Sequence, residues 1–194
     1  MRMILGRALL ALVTAVVATG CAPGLGKEIP VTRFPAADEV VNRRVGGARV
    51  LVRAFTDGRP EYAVAMIDGR SVSPSSDVAG AVRAAFESYL KAAGFTVGGI
   101  DSAVLTGTVQ RWRVDVQPEF PTSKAEAVAT IAVEIASPSQ EVLFRGTYKG
   151  EYLMEHPLMD EGRIAQTLGQ AMAAAIGQAL GDPRFTSALA AGSR

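Results

Sequence analysis

Three consecutive stretches between residues 102 and 152 alternate apolar and polar side chains. That period of two restricts the fold more than any other feature of the chain. A strand turns successive side chains to opposite faces, so alternation of this kind means one face is covered and the other meets water. Over 125–136, Ala127, Ala129, Ile131, Val133 and Ile135 fall on one side, with Glu126, Thr130 and Glu134 on the other. Over 141–152, Val142, Phe144, Tyr148 and Tyr152 face inward, whereas Glu141, Arg145, Lys149 and Glu151 face out. The stretch 102–116 changes phase: Leu105, Gly107 and Val109 share one parity, and Trp112, Val114 and Val116 share the other. One irregular residue near Gln110-Arg111 restores a common face, which predicts a β-bulge or twist there and puts Trp112 in the core. A loop flanked by Pro118 and Pro121, then Ser137-Pro138-Ser139-Gln140, connects the three strands as an antiparallel meander.

A face covered on one side needs something to cover it, and two helical patterns supply it. Val78, Val82, Ala85, Phe86, Tyr89, Leu90 and Ala93 recur at steps of three and four, behind Ser76 or Ser75 as the cap and with Asp77 in the first turn. Gly94 is placed to end that helix in the left-handed conformation, ahead of a short strand at 95–97. A second helix runs from Asp160 or Glu161 to about Leu180, with Ile164, Leu168, Ala171, Met172, Ala175, Ile176 and Leu180 on its apolar face. Asp182-Pro183 then opens a short last helix carrying Phe185 and Leu189. Residues 164–181 include no charged side chain. Close packing on the sheet, contact with a partner subunit, and contact with a membrane each fit that feature.

Ahead of the first helix, 48–55 reads as a strand ending at the turn Thr56-Asp57-Gly58-Arg59-Pro60. A second apolar run, 62–67, closes at Asp68-Gly69, and a nearby pairing such as a hairpin is its simplest arrangement. Ser71 to Ser76 reads as a polar loop. The expected fold class is therefore α+β, a two-layer α/β sandwich. It has a largely antiparallel sheet, two main helices on one face and a short C-terminal helix. A composition of 48% hydrophobic and 20% charged residues agrees with a packed domain.

The N-terminal end has a different character. Arg2 and Arg7 precede an apolar run, Ala8 to Ala18, that stops at Thr19-Gly20-Cys21. A basic end, an apolar middle and small residues at the cut are the layout of a secretory signal. Val17-Ala18-Thr19-Gly20-Cys21 resembles the lipobox of bacterial lipoproteins. The resemblance implies cleavage before Cys21, a diacylglyceryl group on its sulfur and acylation of the new amino terminus. The expected organisation is a signal peptide at 1–20, a lipidated N-terminus and Pro/Gly-punctuated tether at 21–46, and a single α/β domain at 47–194. Cys21 is the only cysteine. Lipid on its sulfur leaves no thiol for a disulfide, a nucleophile or a metal ligand, so the domain must fold by packing alone.

The whole order is similar to the YajG-like family of uncharacterised bacterial outer-membrane lipoproteins. The likeness is carried by Val50-Leu51-Val52, by the helix from Val78 with its exit Ala93-Gly94-Phe95-Thr96-Val97, by Lys124-Ala125-Glu126, and by Arg145-Gly146-Thr147-Tyr148. It spans roughly residues 9–190, and the stretch between Phe55 and Asp77 matches it least. More distantly, the chain is similar to auxiliary lipoproteins of lipid transporters. The family resemblance implies a periplasm-facing protein of the outer membrane, and Ala22 after the cysteine agrees with that sorting. It brings no catalytic residues.

The residues themselves point to no catalytic, cofactor-binding or metal-binding set. His156 is the only histidine, with carboxylates alone as neighbours in sequence, whereas a zinc site takes three or four ligands. No glycine run opens a helix with phosphate-loop spacing, and no serine has an activating base in view. Removal of Arg2 and Arg7 leaves the chain near neutral, which argues against nucleic acid as a partner. The expected role is that of a non-enzymatic membrane lipoprotein that binds a protein or helps assemble an envelope complex, the alternative being a carrier of lipid or another hydrophobic ligand. The expected partners are the membrane, through the lipid anchor on Cys21, and a protein, either another chain or a second copy. Asp57, Arg59, Arg111, Arg113 and Arg145 are the candidate interaction surface, with cation-flanked Trp112 among them. Surface ion pairing is the plain alternative for those charges.

Overall fold

The computed structural model describes residues 28–37, 41 and 47–193; the signal peptide and Cys21 lie outside the described residues. The meander is the backbone of the molecule. Strands β7 (Ala103–Gln117), β8 (Ser123–Ala136) and β9 (Val142–His156) pair antiparallel along nearly their full lengths. The β7–β8 register shifts between Val109 and Arg111, where the phase of the apolar residues changes in sequence. The irregularity lets Leu105, Val109, Trp112 and Val114 share one buried face with Ala127, Ala129, Ile131 and Ile135.

The other edge of β7 is assembled from short pieces. Strands β2 (Arg49–Val52), β3 (Thr56–Asp57) and β4 (Ala65–Ile67) follow one another along it, each parallel to β7. The runs 48–55 and 62–67 thus lie end to end, not side by side. The hairpin forms instead between β4 and β5 (Arg70–Pro74), within the stretch read as a polar loop. Asp68 and Gly69 both take positive φ, 49° and 73°, as a two-residue turn between antiparallel strands requires. Val72 and Pro74 are buried while Arg70 and Ser71 face water, a one-sided strand whose serines hid its alternation. Strand β6 (Thr96–Val97) adds to β2, completing an α+β mixed sheet whose longest pairings are antiparallel.

Helices α1 (Val78–Ala92), α2 (Glu161–Gly181) and α3 (Pro183–Ala191) cover the apolar face. Asp77 is the N-cap of α1 by position, but its side chain makes no capping hydrogen bond. Asp160 and Asp182 do cap, accepting from the Arg163 and Arg184 backbone N–H groups. The uncharged stretch of α2 is explained by burial. Ile164, Leu168, Ala171, Met172, Ala175 and Ile176 are all 0–1% exposed. Gly150 of β9 allows this closeness, since a Cβ there would fall on the Ala171 carbonyl oxygen and the Ala175 nitrogen. Trp112 reaches the same helix, its Nε1–H donating to the Leu168 carbonyl at 2.8 Å. Among the described residues no helix is long and apolar enough to cross a membrane.

Two expectations need correction. The tether predicted over 21–46 is docked across residues 28–37. β1 (Glu28–Ile29) pairs parallel to β5, Ile29 and Val31 are buried, and Phe34 stacks on Trp112 at 5.8 Å between ring centroids. Tyr89 donates its hydroxyl to the Pro35 carbonyl at 3.0 Å, and Gly169 of α2 leaves room for the Arg33 carbonyl. Proline and glycine had hidden a segment with isolated apolar anchors. Strand β9 also runs on to His156, and Val142 and Tyr152, expected to face inward, are exposed.

Candidate functional site

The edge of β7 is interrupted where its own irregularity lies. β3 pairs with Thr108 and Val109, and β4 resumes pairing at Val114, so residues 110–113 have no strand partner on that side. Gly58 begins the departure, its N–H donating to the Val109 carbonyl at 3.0 Å with the Thr108 methyl pressed against it. Pro60 then continues an excursion that returns at Ala63. The gap holds a pocket of about 300 Å³, bordered by Arg59, Glu61, Gln110, Arg111, Trp112 and Arg113 among others.

Arg59 is the unusual member. Its side chain is 2% exposed, and Nε and Nη2 each donate to a carboxylate oxygen of Asp57 at 2.8 Å. The Tyr62 ring lies over the guanidinium at 5.9 Å. Nη1 is buried and has no acceptor. A buried donor without a partner costs about 1–3 kcal/mol, more for a charged group. The hydrogen bond from Arg59 holds the Asp57 carboxyl below its ordinary pKa, against an opposing effect of partial burial. Asp57 is therefore an ionised brace for the guanidinium.

The surrounding charges are unequal. Arg113 is occupied, reaching Glu61 at 2.5 Å and Asp115 at 2.9 Å, and the hydrogen bond to Asp115 raises its pKa. Arg111 has no ion pair or side-chain hydrogen bond among the described contacts, and its side chain is exposed. The structure thus gathers Arg59, Arg111 and Arg113 at one pocket, while Asp57 holds Arg59 from outside its lining. Arg145 stands apart on the open face of the sheet, 71% exposed and paired with Glu134 at 2.6 Å. It borders a shallow hollow with Thr106, Thr108, Ala132 and Thr147. Gln110, Glu61 and Tyr62 were not singled out from the sequence. The phase change at Gln110 was the one signal that could have drawn attention to this spot.

Three arginines and an amide line the pocket with one carboxylate, Glu61, and two of the arginines are already paired, so it suits a single small acceptor group better than a polyanion. A carboxylate takes two parallel N–H bonds from a guanidinium. The pocket's one carboxylate, Glu61, is paired with Arg113, and among the described residues no group of three His, Cys, Asp or Glu side chains could hold a metal. His156 is remote, its Nδ1 held at 2.8 Å from the Leu158 carbonyl oxygen.

The Lipoprotein_16 family model, described as uncharacterized lipoprotein, matches residues 35–190. No curated protein matches the chain. Among solved structures, protein XCC0632 from Xanthomonas campestris, of family model DUF330, superposes with a TM-score of 0.54 at 15% identity, covering 82% of this chain and 93% of that one. Lipoprotein GNA1162 from Neisseria meningitidis gives a TM-score of 0.38 at 14% identity, over 70% of this chain and 100% of that one. A minor lipoprotein from Acinetobacter baumannii gives 0.42 at 10% identity, over 74% and 92%. The first of these supports the fold, and the family match agrees with the YajG-like resemblance read from the sequence.

Proposed function

The chain belongs to this family of uncharacterized lipoproteins, and from that premise we propose that it is held in the outer membrane by acyl groups on Cys21, faces the periplasm, and binds a protein partner without catalysing a reaction. The partner presents a carboxylate, from a side chain or a chain terminus, to the pocket beside β7. The observation that carries this reading is Arg111, exposed and unpaired on the border of that pocket, beside an Arg59 guanidinium already held in place by Asp57. A cation set on a fixed neighbour lowers the ordering cost of binding. A hydrophobic carrier would need room between helices and sheet, and there Gly150, Trp112 and Leu168 bring the two layers into direct contact.

The test uses a photo-crosslinking residue in place of Tyr62, which is 66% exposed beside the pocket. In intact cells it should give one defined adduct. Arg111→Glu should abolish that adduct, and Arg145→Glu should leave it. Adducts that ignore Arg111→Glu, or no adduct at all, would refute the reading.

A further inference from the structure

We propose that the end of the sheet carrying Phe120 and Leu158 rests in the interfacial layer of the bilayer, so that the lipid anchor and two apolar tips hold the domain in one orientation. The inference rests on lipidation of Cys21 and adds a second, independent contact with phospholipid. Its first support is direction. β1 runs parallel to β5, β5 antiparallel to β4, and β4 parallel to β7. β1 is therefore antiparallel to β7, and the chain preceding Glu28 leaves toward the end where β7 finishes.

Its second support is reach. Glu28 is level with Ser73, and by the strand registers with Val64 and with Arg113 of β7. Seven Cα steps separate Cys21 from Glu28, and at about 3.5 Å per step they span at most about 25 Å. At roughly 3.3 Å per residue, the near end of β7 at Gln117 is about 13 Å away along the strand, and the far end at Ala103 is about 33 Å away. Only the near end comes within range of the anchor.

That near end is dressed for lipid. Phe120, in the turn between β7 and β8, is 100% exposed, and Leu158, just past β9, is 66% exposed. The Ser123–His156 pair brings both loops to the same end of the sheet. Four of the nearby charges pair within the protein: Glu119 with Lys124, and Asp160 with Arg163. An aromatic ring and a branched aliphatic at such a position partition into the headgroup–acyl boundary. The far end also exposes Ile100 and Val142, which makes it a built-in control.

Lipid on Cys21 leaves no other thiol in the chain, so Phe120→Cys, Leu158→Cys, Ile100→Cys and Val142→Cys each supply a unique labelling site in the full lipidated protein. Each variant carries an environment-sensitive fluorophore and is reconstituted in phosphatidylethanolamine–phosphatidylglycerol vesicles. Labels at 120 and 158 should show blue-shifted emission and loss of intensity with shallow nitroxide lipids, while labels at 100 and 142 should show neither. Water-like emission at 120 and 158 on a protein whose acylation is verified by mass would overturn the inference alone. A mass showing bare Cys21 would overturn the anchoring reading and this inference with it.

Discussion

Gly150→Ala is the sharpest probe of how the two layers meet. The added Cβ would land on the main chain of α2, at the Ala171 carbonyl and the Ala175 nitrogen, with the Ala174 methyl at 3.0 Å. Main-chain atoms cannot rotate aside, so the helix must lift from β9. Overpacking costs about 1–3 kcal/mol, and an obstacle of backbone belongs at the upper end, ~3 kcal/mol. Alanine restricts the unfolded chain and returns about 0.5–1 kcal/mol, leaving a net loss of about 2 kcal/mol. With a urea slope of about 2 kcal/mol/M, the midpoint should fall by about 1 M. Gly146→Ala is the comparison, because its Cβ meets only the rings of Phe144 and Tyr148, the closest atom at 2.7 Å, and the half-buried Phe144 ring can turn. Its midpoint should stay within about 0.3 M of the unmodified protein, the packing cost and the chain-entropy gain nearly cancelling. Trp112 is the only tryptophan and donates to Leu168 on the same helix, so its fluorescence should also change in Gly150→Ala. Equal midpoints for the two variants, or an unchanged Trp112 spectrum in Gly150→Ala, would refute the claim that backbone contact sets the layer spacing.

Asp57→Asn should cost about 1–3 kcal/mol at neutral pH, because the buried Arg59 guanidinium loses its ionised partner. The Asp57 carboxyl is held below its ordinary value of 3.8, so the unfolded chain binds more protons in that window and stability rises with pH there. The contribution is complete above the ordinary value and lost as pH falls through the lowered one; urea midpoints between pH 5 and pH 2, about the ordinary carboxylate range, should therefore fall less steeply in Asp57→Asn. Gly169→Ala places a Cβ on the Arg33 carbonyl and should release residues 28–37, read as faster tryptic cleavage at Arg33 and altered Trp112 emission with little change in the global midpoint. The Tyr148 phenol is pushed up, by burial first and then by its 3.0 Å hydrogen bond to Asp182. In an alkaline absorbance titration Tyr148→Phe should remove one late-titrating phenol.

The sheet and its helices were legible because their signals are periodic and local. Alternation over 125–136 matches the buried Ala125-to-Ile135 series of β8, and the phase change at Gln110 lies at a real register shift. What escaped was carried by single residues whose partners are distant in sequence. Ile29 is buried within a proline- and glycine-punctuated stretch where no period marks it, whereas Val31 and Phe34, readable only as candidates for packing along the domain edge, are buried and stacked on Trp112 respectively. β5 was missed because its outward serines look like a loop until Val72 and Pro74 are seen to face inward. Charge pattern alone grouped Arg145 with the other candidates. Register separates it, since Arg145 lies opposite Glu134 on the open face while Arg111 and Arg113 border the broken edge of β7.

The broken edge joins two local devices that would mean little apart. A β-bulge bends a strand and disrupts its ladder, and such irregularities recur beside binding sites. Proline at the neighbouring position cannot donate to a ladder, so Arg59-Pro60 is where the parallel edge is easiest to leave. With the bulge at Gln110 facing the excursion at Arg59-Pro60, a hole opens in the sheet instead of a slip in register. Into that hole the chain puts the Arg59 guanidinium, held on one side by the partly exposed Asp57. The proposed carboxylate partner is the counter-charge that Arg111 lacks, at the border of a pocket whose other arginines are both braced.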